Sequence, residues 1–263
     1  MDINTVRNSL KKFISVCPQH GETEFMQIMD FPPKCCQCSV IDQKREQQRQ
    51  SEQAQRERML AAMANCGINP IANGFDAWVY DASQAERQAR IIKNLGVYIK
   101  SFDHSKPNIL LYGSTGAGKT MLANALARAV FKNQYNQGSY KPAKLIRSAE
   151  ITRLCKEHWT DKTKPTEQMI LGELKAFDLL VIDDLGDGDT TGNVANDRSR
   201  LGDLIDGRYL QKPTVITTNM DVDQVKIFMG DRAWDRFQQN LIMIKCDWAS
   251  YRQKAGVAML GEW

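Results

Sequence analysis

No apolar run in the 263-residue chain approaches the roughly 18 residues needed to cross a bilayer, and Met1 to Val16 is too polar for a secretory signal. A cytoplasmic protein without a membrane partner is expected. An excess of one charge is missing too. Against 31 Asp+Glu stand 35 Lys+Arg, and the formal net charge of +4 neither marks nor opposes a polyanion partner. There is no internal repeat, and from Ile41 to Asn65 there is no glycine or proline. Disulfides are excluded on the same footing: seven cysteines in a chain with no export signal argue for thiols or metal ligands. What remains, 42% hydrophobic and 25% charged residues, is the balance of a globular chain that folds.

Gly113-Ser114-Thr115-Gly116-Ala117-Gly118-Lys119-Thr120 is a complete phosphate-binding loop. It follows an apolar strand, Asn108 to Tyr112, and precedes an amphipathic helix from Thr120 to Asn133. Backbone amides and the helix N-terminus would therefore face the phosphates of ATP. Lys119 would pair with the β- and γ-phosphates, and the Thr120 hydroxyl would take a Mg2+ position. A second apolar run, Leu179-Leu180-Val181-Ile182, ends in Asp183 and Asp184. Asp183 suits Mg2+, and Asp184 suits the attacking water as orienting group or base. A third, Val215 to Thr218, ends at Asn219, which either contacts the γ-phosphate or lytic water or opens a turn into Asp221 and caps the next helix. Apolar strands alternating with helices predict an α/β fold, a parallel sheet covered on both faces.

The cysteines are unevenly spread. Cys17-Pro18-Gln19-His20 and Cys35-Cys36-Gln37-Cys38 form two ligand pairs, fourteen residues apart. This is the spacing of a tetrahedral structural Zn2+ site with Cys17, His20, Cys35 and Cys38 as ligands, Cys36 being a spare thiol and an alternative to Cys35. So short a segment would draw its folding energy from the metal. Ile41 to Asn65, rich in Gln and in charges of both signs, reads as a solvated helix. The expected organisation is a zinc-binding module at 1–40, a helical linker at 41–66 and an ATPase domain at 67–263.

Together these residues resemble the AAA+ ATPases, and within them the DnaC/IstB family of helicase loaders and transposition ATPases. The resemblance runs from about Gly67 to the C-terminus. It rests on Leu179 to Gly186, Thr214 to Asn219, Met229 to Phe237 and Asp247 to Arg252, found in that order. It implies that Asn219 is a sensor residue, that Arg236 is an arginine finger presented to a neighbouring subunit, and that Arg252 is a second sensor. It also implies a compact core without a separate helical lid. Two departures stand out: Asp184 occupies the position where a glutamate is usual, which suggests slow hydrolysis used as a switch, and Gly188 to Asn196 is a longer polar loop.

The N-terminal module is similar to those of phage- and prophage-type DnaC loaders. The resemblance thus implies an ATPase that loads the replicative DNA helicase onto single-stranded DNA, gripping helicase through its N-terminal part and self-associating through Arg236. An IstB-like transposition accessory ATPase is the alternative. A metabolic P-loop kinase would need an acceptor pocket and a lid, and no segment reads as either. For DNA contact the sequence offers Arg147, Arg153, Lys156, Arg198 and Arg200, which a solvated face would equally explain.

Overall fold

The computed structural model describes residues 10–28, 31–72, 74–186 and 194–251. The chain divides into two compact units, Met1–Met59 and Leu60–Trp263.

In the first unit, β1 (Leu10–Cys17) and β2 (Gly21–Ile28) form an antiparallel hairpin, with β3 (Lys34–Cys35) added on β2. The hairpin register sets Phe13 opposite Phe25, and their rings stack 6.1 Å apart. Aromatic cross-strand pairs of this kind stabilise a small sheet that has little other core. Helix α1 (Cys36–Asn65) follows directly, starting five residues earlier than the sequence suggested. It is polar all round, with Met63 its one buried residue among those described. Side-chain pairs one turn apart support it: Gln48 donates to Glu52 (2.9 Å), Gln53 to Glu57 (2.9 Å) and Gln50 to Glu46 (3.2 Å).

The second unit is built on a five-stranded parallel sheet. Its strands are β4 (Asn108–Gly113), β5 (Ala143–Arg147), β6 (Leu179–Leu185), β7 (Thr214–Thr218) and β8 (Leu241–Cys246), in the order β5-β6-β7-β4-β8. The helices between them are α2 (Ala85–Lys100), α3 (Lys119–Asn136), α4 (Ser148–Thr160), α5 (Glu167–Ala176), α6 (Val194–Arg208), α7 (Val222–Met229) and α8 (Asp231–Gln238). Side chains alternate across a strand, so each strand feeds both faces. Leu110, Ile146, Leu180, Ile182 and Ile216 make one core with residues of α4 to α8. The opposite face is covered by α3, through Leu122, Ala123, Leu126 and Val130.

Buried Arg208 closes the N-terminal end of the sheet. It donates to the carbonyls of Lys175 (3.0 Å), Phe177 (2.6 Å) and Pro213 (2.5 Å), and to Thr214 Oγ1 (2.9 Å). One guanidinium thus satisfies carbonyls left over at the end of α5, in the way a C-cap would.

Candidate functional site

The phosphate loop leaves the C-terminal end of β4 and enters α3 in backbone conformations that only glycine adopts freely: Gly113 has φ 121° and Gly118 φ 83°. Space forbids a side chain as well. A Cβ on Gly113 would lie 2.5 Å from the Cys246 carbonyl oxygen, and one on Gly118 would lie 2.8 Å from the Trp78 ring. Lys119, buried at the loop's mouth, donates to the carbonyls of Gly113 (2.9 Å) and Ser114 (2.8 Å) and to Asn219 Oδ1 (2.8 Å). Asn219 therefore stands beside the lysine of the phosphate loop and is not the cap of α7. The cap of α7 is Asp221, which closes a capping box with Gln224.

The two aspartates are brought together by an irregularity in the strand. In a regular strand, consecutive side chains point to opposite faces, yet Asp183 and Asp184 line one cavity. Between Ile182 and Leu185 the pairing of β6 with β7 shifts register, and Asp184 takes φ 54°. Such a bulge re-aims a side chain at a site, and left-handed non-glycine residues concentrate there. Thr217 pins the bulge by accepting from the Asp184 amide (2.9 Å) and donating to Asp183 Oδ1 (2.5 Å).

Thr120 Oγ1 lies 3.1 Å from Asp183 Oδ1. Neighbouring ligands on a magnesium octahedron stand about 3 Å apart, so these two oxygens fit adjacent positions on Mg2+. The cavity, about 660 Å3, is bounded by the loop, Asp183, Asp184 and Asn219, and also by Trp78, Tyr80, Gln88 and Trp248. That volume suits a nucleotide-sized ligand. The last four are residues that the sequence reading missed, because they come from segments remote from the loop. Trp248 donates from Nε1 to the Ala117 carbonyl (2.8 Å), and its ring meets Trp78 edge-on at 6.0 Å.

Arg236 is not in this cavity. It lines a cleft with Asn108 and Thr214, the first residues of β4 and β7, whereas the phosphate loop begins where β4 ends. There it pairs with Asp206 and lies 5.6 Å over the Tyr209 ring. Helix packing makes the pair: α6 and α8 are neighbours, which brings Asp206 alongside Arg236. Asp247 is engaged by Arg87 (2.5 Å) and Lys245 (3.6 Å). Arg252 lies outside the described residues, as does most of the Gly188 to Asn196 loop.

Two of the arginines offered for DNA are committed elsewhere. Arg200 is buried and paired with Glu167 (2.8 Å) and Asp197 (3.1 Å), and Arg198 donates to the carbonyls of Phe228 (3.0 Å) and Ile227 (2.5 Å).

In the first unit, Cys17 ends β1 and His20 stands in the turn that follows, while Cys35 ends β3 and Cys38 stands in the first turn of α1. Their ligand atoms converge. Cys17 Sγ is 3.5 Å from His20 Nδ1 and 3.6 Å from Cys38 Sγ, and His20 Nδ1 is 3.7 Å from Cys35 Sγ and 3.4 Å from Cys38 Sγ. Ligands around a tetrahedral zinc stand about 3.8 Å apart for two sulfurs and about 3.6 Å for sulfur and nitrogen. The donor set therefore fits zinc in kind and in size, and the cluster uses Cys35 and leaves Cys36 out. The backbone amide of Gln19 holds the Cys17 thiol down, at about 6, the direction a thiolate ligand requires. Burial, with Glu24 nearby, pushes Cys36 up.

Residues 39–257, more than four fifths of the chain, match the family of IstB-like ATP binding proteins. No curated protein matches. Among solved structures, DnaI superposes with a TM-score of 0.53 at 20% identity, covering 70% of this chain and 92% of that one. The DnaC helicase loader superposes with a TM-score of 0.52 at 22% identity, covering 66% and 96%. Domain III of the Thermotoga maritima replication initiation protein DnaA gives 0.50 at 20%, covering 65% of each. At these identities the likeness is one of fold. No helix among the described residues is long and apolar enough to cross a membrane. With its phosphate loop, aspartate-ended strand and parallel sheet, the chain belongs to the IstB-like ATP-binding family and is an ATPase of the AAA+ fold.

Proposed function

We propose that the chain is an ATP-driven loader of the replicative DNA helicase onto single-stranded DNA. It would grip helicase through its N-terminal unit and use nucleotide as a switch. The observation that carries this reading over a generic ATPase is the segment of the first unit that precedes the family match at residue 39. With zinc, a Cys3His cluster there would rigidify a three-stranded sheet that carries no catalytic group among its described residues; Ile14 (66%) and Val16 (71%) are exposed on β1 and Phe31 (68%) in the link from β2 to β3. A zinc whose positions are all filled by protein supplies structure, and exposed apolar side chains on a rigid scaffold suit a protein partner. The loader fold of the neighbours is consistent with this. The chain would divide into a zinc-binding module at 1–40, a helical linker at 41–66 and an ATPase domain at 67–263.

In the ATPase site, Lys119 and the loop amides would bind the β- and γ-phosphates, and Thr120 and Asp183 would hold Mg2+, which neutralises phosphate charge when bound. Asp184 would orient or deprotonate the attacking water. Asn219 bonds to the same ammonium that a γ-phosphate would claim, so ATP and ADP would leave β7 and α7 under different constraints. Arg236, at the other end of the sheet, would act on a neighbouring subunit's nucleotide rather than its own.

The family name favours one second reading, an accessory ATPase of transposition. Family membership sets the kinase reading aside. The two remaining readings separate by partner. Full-length protein should be captured by immobilised replicative helicase and not by a transposase, and Val16→Asp should abolish capture while leaving ATP binding intact. Capture by the transposase alone would transfer the chain to the second reading.

A further inference from the structure

Two residues of β6 stand opposite one residue of β7 at the end of the sheet that carries the phosphate loop. Val181 pairs with Val215 and Ile182 with Ile216, but the next pair is Leu185 with Thr218, so Asp183 and Asp184 together face Thr217. There the Thr217 side chain enters the pairing: its hydroxyl accepts from the Asp184 amide at 2.9 Å and donates to Asp183 Oδ1 at 2.5 Å. Thr218 donates to the Leu185 carbonyl at 2.7 Å, so a hydroxyl also closes the far side of the bulge. Both threonines are fully buried.

Packing alone does not call for a threonine at 217. Valine has the same shape, suits a central strand as well, and brings no polar atom to satisfy in the interior. The register shift and the left-handed backbone of Asp184 (φ 54°) are features that a strand does not adopt for its own stability, and they are retained where a site uses them. A hydroxyl can donate and accept at once. Here one of its bonds goes to the backbone of one aspartate and the other to the carboxylate of its neighbour.

We propose that Thr217 is a positioning residue for ATP hydrolysis, its one hydroxyl setting both the carboxylate that would ligate Mg2+ and the carboxylate that would meet the attacking water. The proposal rests on the roles given above to Asp183 and Asp184. By donating to Asp183 Oδ1, Thr217 fixes that oxygen 3.1 Å from Thr120 Oγ1. By accepting from the Asp184 amide, it holds the backbone turn that brings Asp184 to the cavity lined by Asp183. In a strand without the bulge, consecutive side chains part to opposite faces, and Asp184 would leave the cavity. Thr217 itself does not bound the cavity and acts through the two aspartates. Metal ligation and water activation therefore depend on one group and should fail together when it is removed.

Full-length Thr217→Val, which keeps the shape and loses both bonds, and Thr217→Ser, which keeps the hydroxyl, are compared with wild type in single-turnover hydrolysis and in equilibrium binding of ATP with and without Mg2+. Thr217→Val is expected to hydrolyse bound ATP about 10²-fold more slowly, the scale of loss that misplacing a reacting group by about 1 Å brings. It should bind ATP without Mg2+ as wild type does and lose the gain in affinity that Mg2+ gives. Thr217→Ser should hydrolyse within about threefold of wild type, because the donor and acceptor are retained. In nucleotide-free protein, hydrogen exchange of the peptide carrying Asp183 to Leu185 should be faster in Thr217→Val and near wild type in Thr217→Ser. Thermal melting reports folding, and Thr217→Ala carries the same expectations if Thr217→Val does not fold. Wild-type hydrolysis in a folded Thr217→Val would overturn the proposal, as would absence of rescue by serine. An equal loss of ATP binding without Mg2+ would also overturn it, since that marks a residue of the fold alone. Asp184→Asn keeps the two levels apart: wild-type hydrolysis in that variant removes the role given to Asp184 itself, whereas a slow Asp184→Asn beside a fast Thr217→Val overturns only this inference.

Discussion

Arg236 and Asp206 form an ion pair between α8 and α6, over the Tyr209 ring, at the end of the sheet opposite the phosphate loop. In the finger role proposed for Arg236, the residue would have to be held away from its own site, and this pair would hold it there. Arg236→Ala is expected to leave ATP binding by the isolated chain unchanged and to lower assembly-dependent hydrolysis by about 10²-fold or more, since a trans-acting arginine stabilises charge on the transferring phosphoryl group. Mixing it with Asp184→Asn, whose own arginine is intact, should restore part of the turnover. No restoration in the mixture would remove the finger role.

Lys119→Ala should abolish ATP binding, and Asp184→Asn should keep binding while lowering turnover about 10²-fold, because the first loses phosphate charge and the second only a proton acceptor. Equilibrium binding and steady-state phosphate release measure the two separately. Wild-type turnover in Asp184→Asn would refute the role given to Asp184.

Much of this site was readable because it is local. The phosphate loop is eight consecutive residues between a strand and a helix, and Asp183 and Asp184 end a strand of near-continuous hydrophobicity. The bulge that turns both aspartates into one cavity was not readable, since it depends on pairing with Thr217 from another strand. Trp78, Gln88 and Trp248 share the site only through tertiary folding. Strand β8 escaped notice because Ile242 and Met243 are exposed and its pattern is that of a sheet edge. The N-terminal cluster of Cys17, His20, Cys35 and Cys38 was legible by cysteine spacing, but the hairpin was not, because a polar-apolar alternation of eight residues is a weak signal beside the cysteines.

Arg208 carries no sequence signature and should nonetheless be among the most sensitive positions. Arg208→Met leaves the carbonyls of Lys175, Phe177 and Pro213 unsatisfied in the interior, at a cost of about 2–4 kcal/mol. A denaturant melt of the full chain should show the loss, and an unchanged midpoint would mean water replaces the guanidinium.

Zinc is expected at one per chain in protein purified without chelators. Cys38→Ser should release it and disorder the β1–β2 hairpin while ATP affinity stays as it was, because the metal and the phosphate loop belong to different units. Metal analysis finding no zinc would remove the site.

The most direct measurement is helicase loading itself. Replicative helicase, closed circles of single-stranded DNA and the full-length chain are combined with ATP, and helicase retained on the circles is counted after gel filtration. The expected result is retention that requires the chain, fails with Lys119→Ala, and fails with Val16→Asp although that variant binds ATP. Helicase that stays off the circles under every condition, while the chain stimulates strand transfer by a transposase, would contradict the loader assignment and leave the chain an ATPase of transposition.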